Sequence, residues 1–127
     1  MRPQTADEIA AEADLTRSTI WRMSAAQLLP APEYVPLGRG RPVGLWPPGT
    51  ARRAKLIAKL TKGARLKWEE VKLLFQHWLA DVPELELDEG TAHLERLAET
   101  PTSEIRKLVL ALTLAAKAKT RDVQAPQ

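Results

Sequence analysis

Two helix starts lie close together near the N-terminus, and no other feature restricts the fold of this chain as much. Thr5-Ala6-Asp7-Glu8 has the form of a capping box: the Thr5 hydroxyl accepts from the Glu8 backbone N–H, and the Glu8 carboxylate accepts from that of Thr5. Ile9, Ala10 and Ala13 supply the buried side of the helix that follows, and its alanines allow a second helix to approach closely. Asp14 tolerates turn geometry, Leu15 plugs the turn from below, and Thr16 restarts helix as an N-cap. Two capped helices joined by so short a turn predict a helix-turn-helix, with the second helix running from Thr16 to Leu29.

Steps of about 100° along that second helix give it two faces. With Ile20 inward, Thr16, Met23, Ser24 and Gln27 fall near the same side, Ser18, Arg22 and Ala25 face away, and Arg17 and Trp21 flank them. The outward face is small, polar and cationic in its N-terminal half, which suits a DNA major groove. Seen alone, such a face also fits an ordinary solvated helix.

Leu28-Leu29-Pro30 closes the helix, and the stretch from Ala31 to Pro48 is too rich in proline and glycine to be helical. Extended pieces at Glu33 to Leu37 and Val43 to Trp46 flank Gly38-Arg39-Gly40-Arg41-Pro42, which predicts a β-ribbon with a cationic tip. Helix resumes at Thr50 with Ala54, Ile57, Ala58 and Leu60 inward and Gly63 as C-cap. Another helix covers about Lys67 to Ala80 with Val71, Leu74, Phe75, Trp78 and Leu79 on its stripe. An acidic stretch after Pro83 leads to a helix over Asp88 to Glu99. Thr100-Pro101 then starts a last one reaching about Thr120. On that helix Ile105, Leu108, Val109, Leu112 and Ala116, extended by Leu110 and Leu114, make a face that demands a partner, either the preceding helices or a second copy of the chain.

Charge is informative through its placement. The net charge of the 127 residues is only +3. Residues 34–68, however, hold nine basic groups, Arg52 and Arg53 among them, and no acidic one, while residues 69–127 hold seven basic and eleven acidic. Such a segment creates a local field that attracts a phosphate backbone and releases its counterions.

The same inventory argues against other classes. With no cysteine there are no thiolate nucleophiles, disulfides or Cys-based metal sites. His77 and His93 stand sixteen residues apart without an ordered carboxylate pattern, and there is neither a phosphate-binding Gly-rich loop nor a Gly-x-Ser-x-Gly elbow. No enzymatic activity, metal or cofactor is therefore expected. Met1 to Ala10 lacks an apolar leader core and the apolar run Leu108 to Ala116 falls far short of the about 20 residues a membrane span needs, so the expected location is cytoplasmic.

Leu15-Thr16-Arg17-Ser18-Thr19-Ile20, the Leu28-Leu29-Pro30 exit, the basic wing ending at Trp46 and Gly63-Ala64-Arg65-Leu66-Lys67-Trp68-Glu69-Glu70-Val71 together resemble the MerR family of winged helix-turn-helix regulators, over roughly residues 4–80. The resemblance implies a mainly α fold with a small β-ribbon wing and a DNA-binding domain over residues 1–82; residues 83–127, beyond the resemblance, are expected from their apolar face to form a C-terminal helical segment for dimerisation or interaction. It implies that Arg17, Ser18, Trp21 and Arg22 face the major groove and that Thr16 and Thr19 cap and anchor the helix near the phosphates. Arg39 and Arg41 would lie on the wing, with Trp46 at the family's aromatic position. The chain departs from the family at Trp21-Arg22-Met23, at Asp14 in the turn, in its proline-rich wing, and in having no cysteine for metal sensing. The expected function is sequence-specific binding of double-stranded DNA by a homodimeric transcription regulator. An excisionase-like architectural protein and an adaptor that docks on transcription machinery are the alternatives.

Overall fold

The computed structural model describes residues 2–36, 38 and 40–124, with side chains up to residue 118. It contains six helices and one hairpin: α1 (Ala6–Ala13), α2 (Arg17–Ala25), β1 (Glu33–Val35), β2 (Val43–Leu45), α3 (Thr50–Gly63), α4 (Trp68–Leu79), α5 (Leu87–Ala98) and α6 (Thr102–Gln124). The mainly α, winged helix-turn-helix arrangement is thus the one expected.

Local chemistry sets the N-terminal half. The capping box forms in both directions, with Glu8 N donating to Thr5 Oγ1 at 3.2 Å and Thr5 N to Glu8 Oε1 at 3.1 Å. Asp14 ends α1 in the left-handed conformation at φ 56°, which an Asx side chain accepts more readily than most. Leu15 N returns to Ala10 O at 2.9 Å. Thr16 Oγ1 then accepts from Thr19 N at 3.2 Å and opens α2.

One core joins all the helices. Ile9, Ile20, Met23, Trp46, Ile57, Val71, Leu74, Leu94 and Val109 are buried to within a few per cent and belong to a single cluster. α3 runs through its middle, packed on α1, α4 and α5, while α6 lies on α4. The hairpin pairs antiparallel in the register Glu33↔Leu45, Tyr34↔Gly44, Val35↔Val43. A bridge between Gln4 and Trp46 continues it, tying the segment before α1 to the end of the ribbon.

Two glycines are required by close approach. Gly49, the N-cap of α3, sits at φ 94°, and a Cβ there would overlap the Asp88 carboxylate. That carboxylate therefore lies at the N-terminus of α3, where the helix dipole favours an anion. Gly90, in α5, leaves room for the Arg53 guanidinium, whose Nη2 would stand 3.0 Å from an added Cβ.

The structure corrects several expectations. α2 stops at Ala25 rather than Leu29, because Gln27 turns left-handed at φ 65° and the chain folds Leu28 and Leu29 back into the core. Gly63 is the last residue of α3, not its cap; the positive φ falls on Arg65. β1 ends at Val35, short of the expected Leu37, and β2 ends at Leu45, with Trp46 in the separate bridge to Gln4. Ile105 and Val109, placed with the dimer or partner face and left open between the preceding helices and a second copy, are each 2% exposed within this chain, whose α6 packs on α4. Leu108 and Leu112 are half-buried, and Ala116, Leu110 and Leu114 lie on the exposed side of α6.

Candidate nucleic-acid interface

The exposed side of α2 is set by what its other side must bury. Ile20 and Met23 are inside, so Ser18, Arg22 and Ala25, about half a turn from Ile20, are exposed, as is the flanking Arg17. Three hydroxyls gather at the N-terminus: Thr16 Oγ1 lies 2.7 Å from Thr19 Oγ1 and 3.3 Å from Ser18 Oγ. With the free N–H groups of the first turn they form a donor-rich end suited to a phosphate oxygen. Arg17 approaches Asp7 of α1 at 3.8 Å, but both side chains are about 70% exposed, so water and salt screen the pair and leave the guanidinium available.

Arg22 is placed by a residue whose role the sequence did not reveal. Its guanidinium carbon stands 5.6 Å from the Trp68 ring at the start of α4, a cation–π contact that holds the long side chain over a fixed surface. Trp68 is partly exposed and partly packed against the core, so its ring is both anchored and open to Arg22.

The ribbon is fastened to α2 by aromatic packing. Trp21 is half-buried, stacked at 6.4 Å on Tyr34 of β1 and edge-on at 4.8 Å to Trp46. Opposite Tyr34 stands Gly44, where a Cβ would come within 3.0 Å of the Trp21 ring and 3.3 Å of Pro32 Cβ, so glycine is what lets the ribbon close on the helix. Trp46 Nε1 donates to Ser24 Oγ at 3.3 Å, and Ser24 Oγ donates to Pro30 O at 3.0 Å. One hydroxyl thereby links the recognition helix, its exit and the ribbon.

Two expected contact residues are consequently inside the protein. Trp46 is fully buried, because the extended chain continues one residue past β2 and its two-residue alternation turns Gly44 and Trp46 toward α2. Arg53 is buried against α5, where Nε donates to Thr91 Oγ1 at 2.7 Å and Nη2 to Leu87 O at 3.3 Å. Trp21 is engaged with the ribbon, leaving only part of its ring accessible. Arg52, exposed beside Arg53 on α3, pairs with Glu95 of α5 at 2.6 Å; that hydrogen bond and charge hold its pKa above the ordinary guanidinium value. Arg41 is exposed near the ribbon tip, and Arg39 lies outside the described residues. Among the described residues no group of three or more His, Asp or Glu is placed to hold a metal ion, and no helix is long and apolar enough to cross a membrane.

No protein-family model matches the chain, and no curated protein does. Among solved structures it is similar to the crystal structure of the transcription regulator PbrR691 from Ralstonia metallidurans CH34 in complex with lead(II). The identity is 22% over 98% of this chain and 84% of that one, with a TM-score of 0.47.

Proposed function

We propose that the protein binds double-stranded DNA in a sequence-dependent way and acts as a transcription regulator, with α2 in the major groove and the ribbon against the backbone. The observation that carries this reading is the exposed face Arg17, Ser18, Arg22, buttressed by Trp68 and the ribbon, beside a segment from Tyr34 to Trp68 that contains nine cations and no carboxylate. Phosphate contacts from Thr16, Thr19, Arg41 and the exposed α3 cations supply affinity, while Arg17, Ser18 and Arg22 read base edges.

Residues 1–82 carry the DNA contacts in this proposal, and residues 83–127 pair two copies. Leu110 and Leu114, 60% and 58% exposed on α6, would form the pairing stripe with the half-buried Leu108 and Leu112 and with Ala116 at its end. A protein of this kind works in the cytoplasm.

Selection of bound duplexes from a random pool tests the reading. A short palindrome or repeat with half-sites about one helical turn apart is expected, as two copies of α2 require. An unenriched pool would overturn sequence-dependent binding. Strong bending of the selected site in a circular-permutation mobility assay would favour an architectural role over plain operator binding.

A further inference from the structure

An open cleft of about 380 Å³ lies between the exit of α2, the first turn of α3 and the C-terminal half of α4. Leu28, Phe75 and Leu79 form its apolar walls, Arg53 lines its base and Lys72 stands at its rim beside Gln27. That volume is in the range of small-ligand sites.

Arg53 is what makes the cleft unusual. The residue is 8% exposed, yet among the described residues no carboxylate lies within 4 Å of its guanidinium. Thr91 Oγ1 and Leu87 O take two of its five N–H donors, and its carbon stands 5.4 Å over the Phe75 ring. Burial pushes its pKa down, as expected for a cation without a countercharge. Lys72 is held at the rim by a bond from Nζ to Gln27 Oε1 at 2.9 Å, a neutral partner that a carboxylate would outcompete.

We infer that this cleft binds a small organic carboxylate with an apolar body, its acid group between Arg53 and Lys72 and its body against Leu28, Phe75 and Leu79. An incoming carboxylate supplies the charge that Arg53 lacks and accepts from donors its protein partners leave unused. It also withdraws Lys72 from Gln27, whose left-handed backbone forms the turn that ends α2. Occupancy would therefore register at the exit of α2. The site stands independently of the DNA-binding reading.

Titration of the full chain with benzoate, followed by two-dimensional ¹H–¹⁵N NMR, tests the assignment, with benzyl alcohol and inorganic phosphate as comparison probes. Saturable benzoate shifts are expected at the Arg53 Nε–H and at the amides of Gln27, Leu28 and Phe75. Benzoate should bind at least about tenfold tighter than benzyl alcohol, and Lys72→Met should weaken it by roughly tenfold. Lys72 is at the rim, so this variant leaves the Arg53 to Thr91 bond and the core intact. Equal binding of benzyl alcohol would overturn the role of charge, and equal binding of phosphate would overturn that of the apolar walls. Shifts spread over exposed cations, or none at the four named positions, would overturn the site itself.

Discussion

Replacing Trp46 separates two pictures of the ribbon, one in which this ring is offered to a ligand and one in which it is the pin that fastens the ribbon to α2. The ring is fully buried, and a tryptophan removes about 200 Å² from water, so at about 25 cal/mol/Å² its burial contributes at most ~5 kcal/mol. Trp46→Ala, with the cavity it leaves, should cost about 3–5 kcal/mol. Against a total stability of about 5–15 kcal/mol that loss lowers the melting temperature by roughly 10–20 °C. Trp46→Phe keeps most of the contact with Trp21 but loses volume and the 3.3 Å bond to Ser24, and should cost about 1–2 kcal/mol. Urea denaturation followed by far-UV circular dichroism gives both numbers. A cost below about 1 kcal/mol for Trp46→Ala, the range of ordinary surface substitutions, would refute the pin.

Other substitutions probe the same framework. Thr5→Ala removes the cap of α1 and should cost about 1 kcal/mol in the same urea assay. The backbone N–H of Thr5, followed by the Arg2 charge, holds the Glu8 carboxyl below its ordinary value, so its stabilisation is present above the usual carboxylate range and is lost as pH falls through the folded-state value. The stability difference between wild type and Glu8→Gln should accordingly shrink on acidification, and a constant difference would contradict that origin. Gly49→Ala forces a Cβ onto a left-handed residue and into Asp88, and should cost about 1–3 kcal/mol, partly recovered by Asp88→Ala. Leu110→Glu with Leu114→Glu should yield a monomer in sedimentation velocity without loss of melting temperature, since both side chains are outside the core of one copy.

Much of the architecture was legible from local chemistry. The Thr5 and Thr16 caps fix the two N-terminal helices, the proline- and glycine-rich arms fix the ribbon, and apolar periodicity fixes α3 to α6. The misplacements came from packing between distant segments. Nothing local to Arg53 says that it points inward; Gly90 and Thr91, nearly forty residues on, make the room and the hydrogen bond. Pro30 suggested a helix running up to it, whereas Ser24 bonding Pro30 O and the left-handed Gln27 end α2 earlier. Trp46 did carry a readable signal: Gly44 and Trp46 share one face of the extended stretch formed by β2 and the residue after it, and a glycine between strand residues marks a close approach. The exposed cations of α2 were correctly placed outward by periodicity, because Ile20 and Met23 leave that helix a single way to face the core.

The exposed cations of α2 and of the stretch from Tyr34 to Trp68 are proposed to bind duplex DNA chiefly through phosphates. The most direct test is the equilibrium affinity for a mixed-sequence duplex across a range of salt, for the wild type and for Arg41→Ala. The account predicts a linear fall of log affinity with log salt, amounting to roughly 10³–10⁵ between 50 and 200 mM if six or more phosphates are contacted, with the slope reduced by about one in Arg41→Ala. An affinity that does not change with salt, or the absence of binding at low salt, would contradict it.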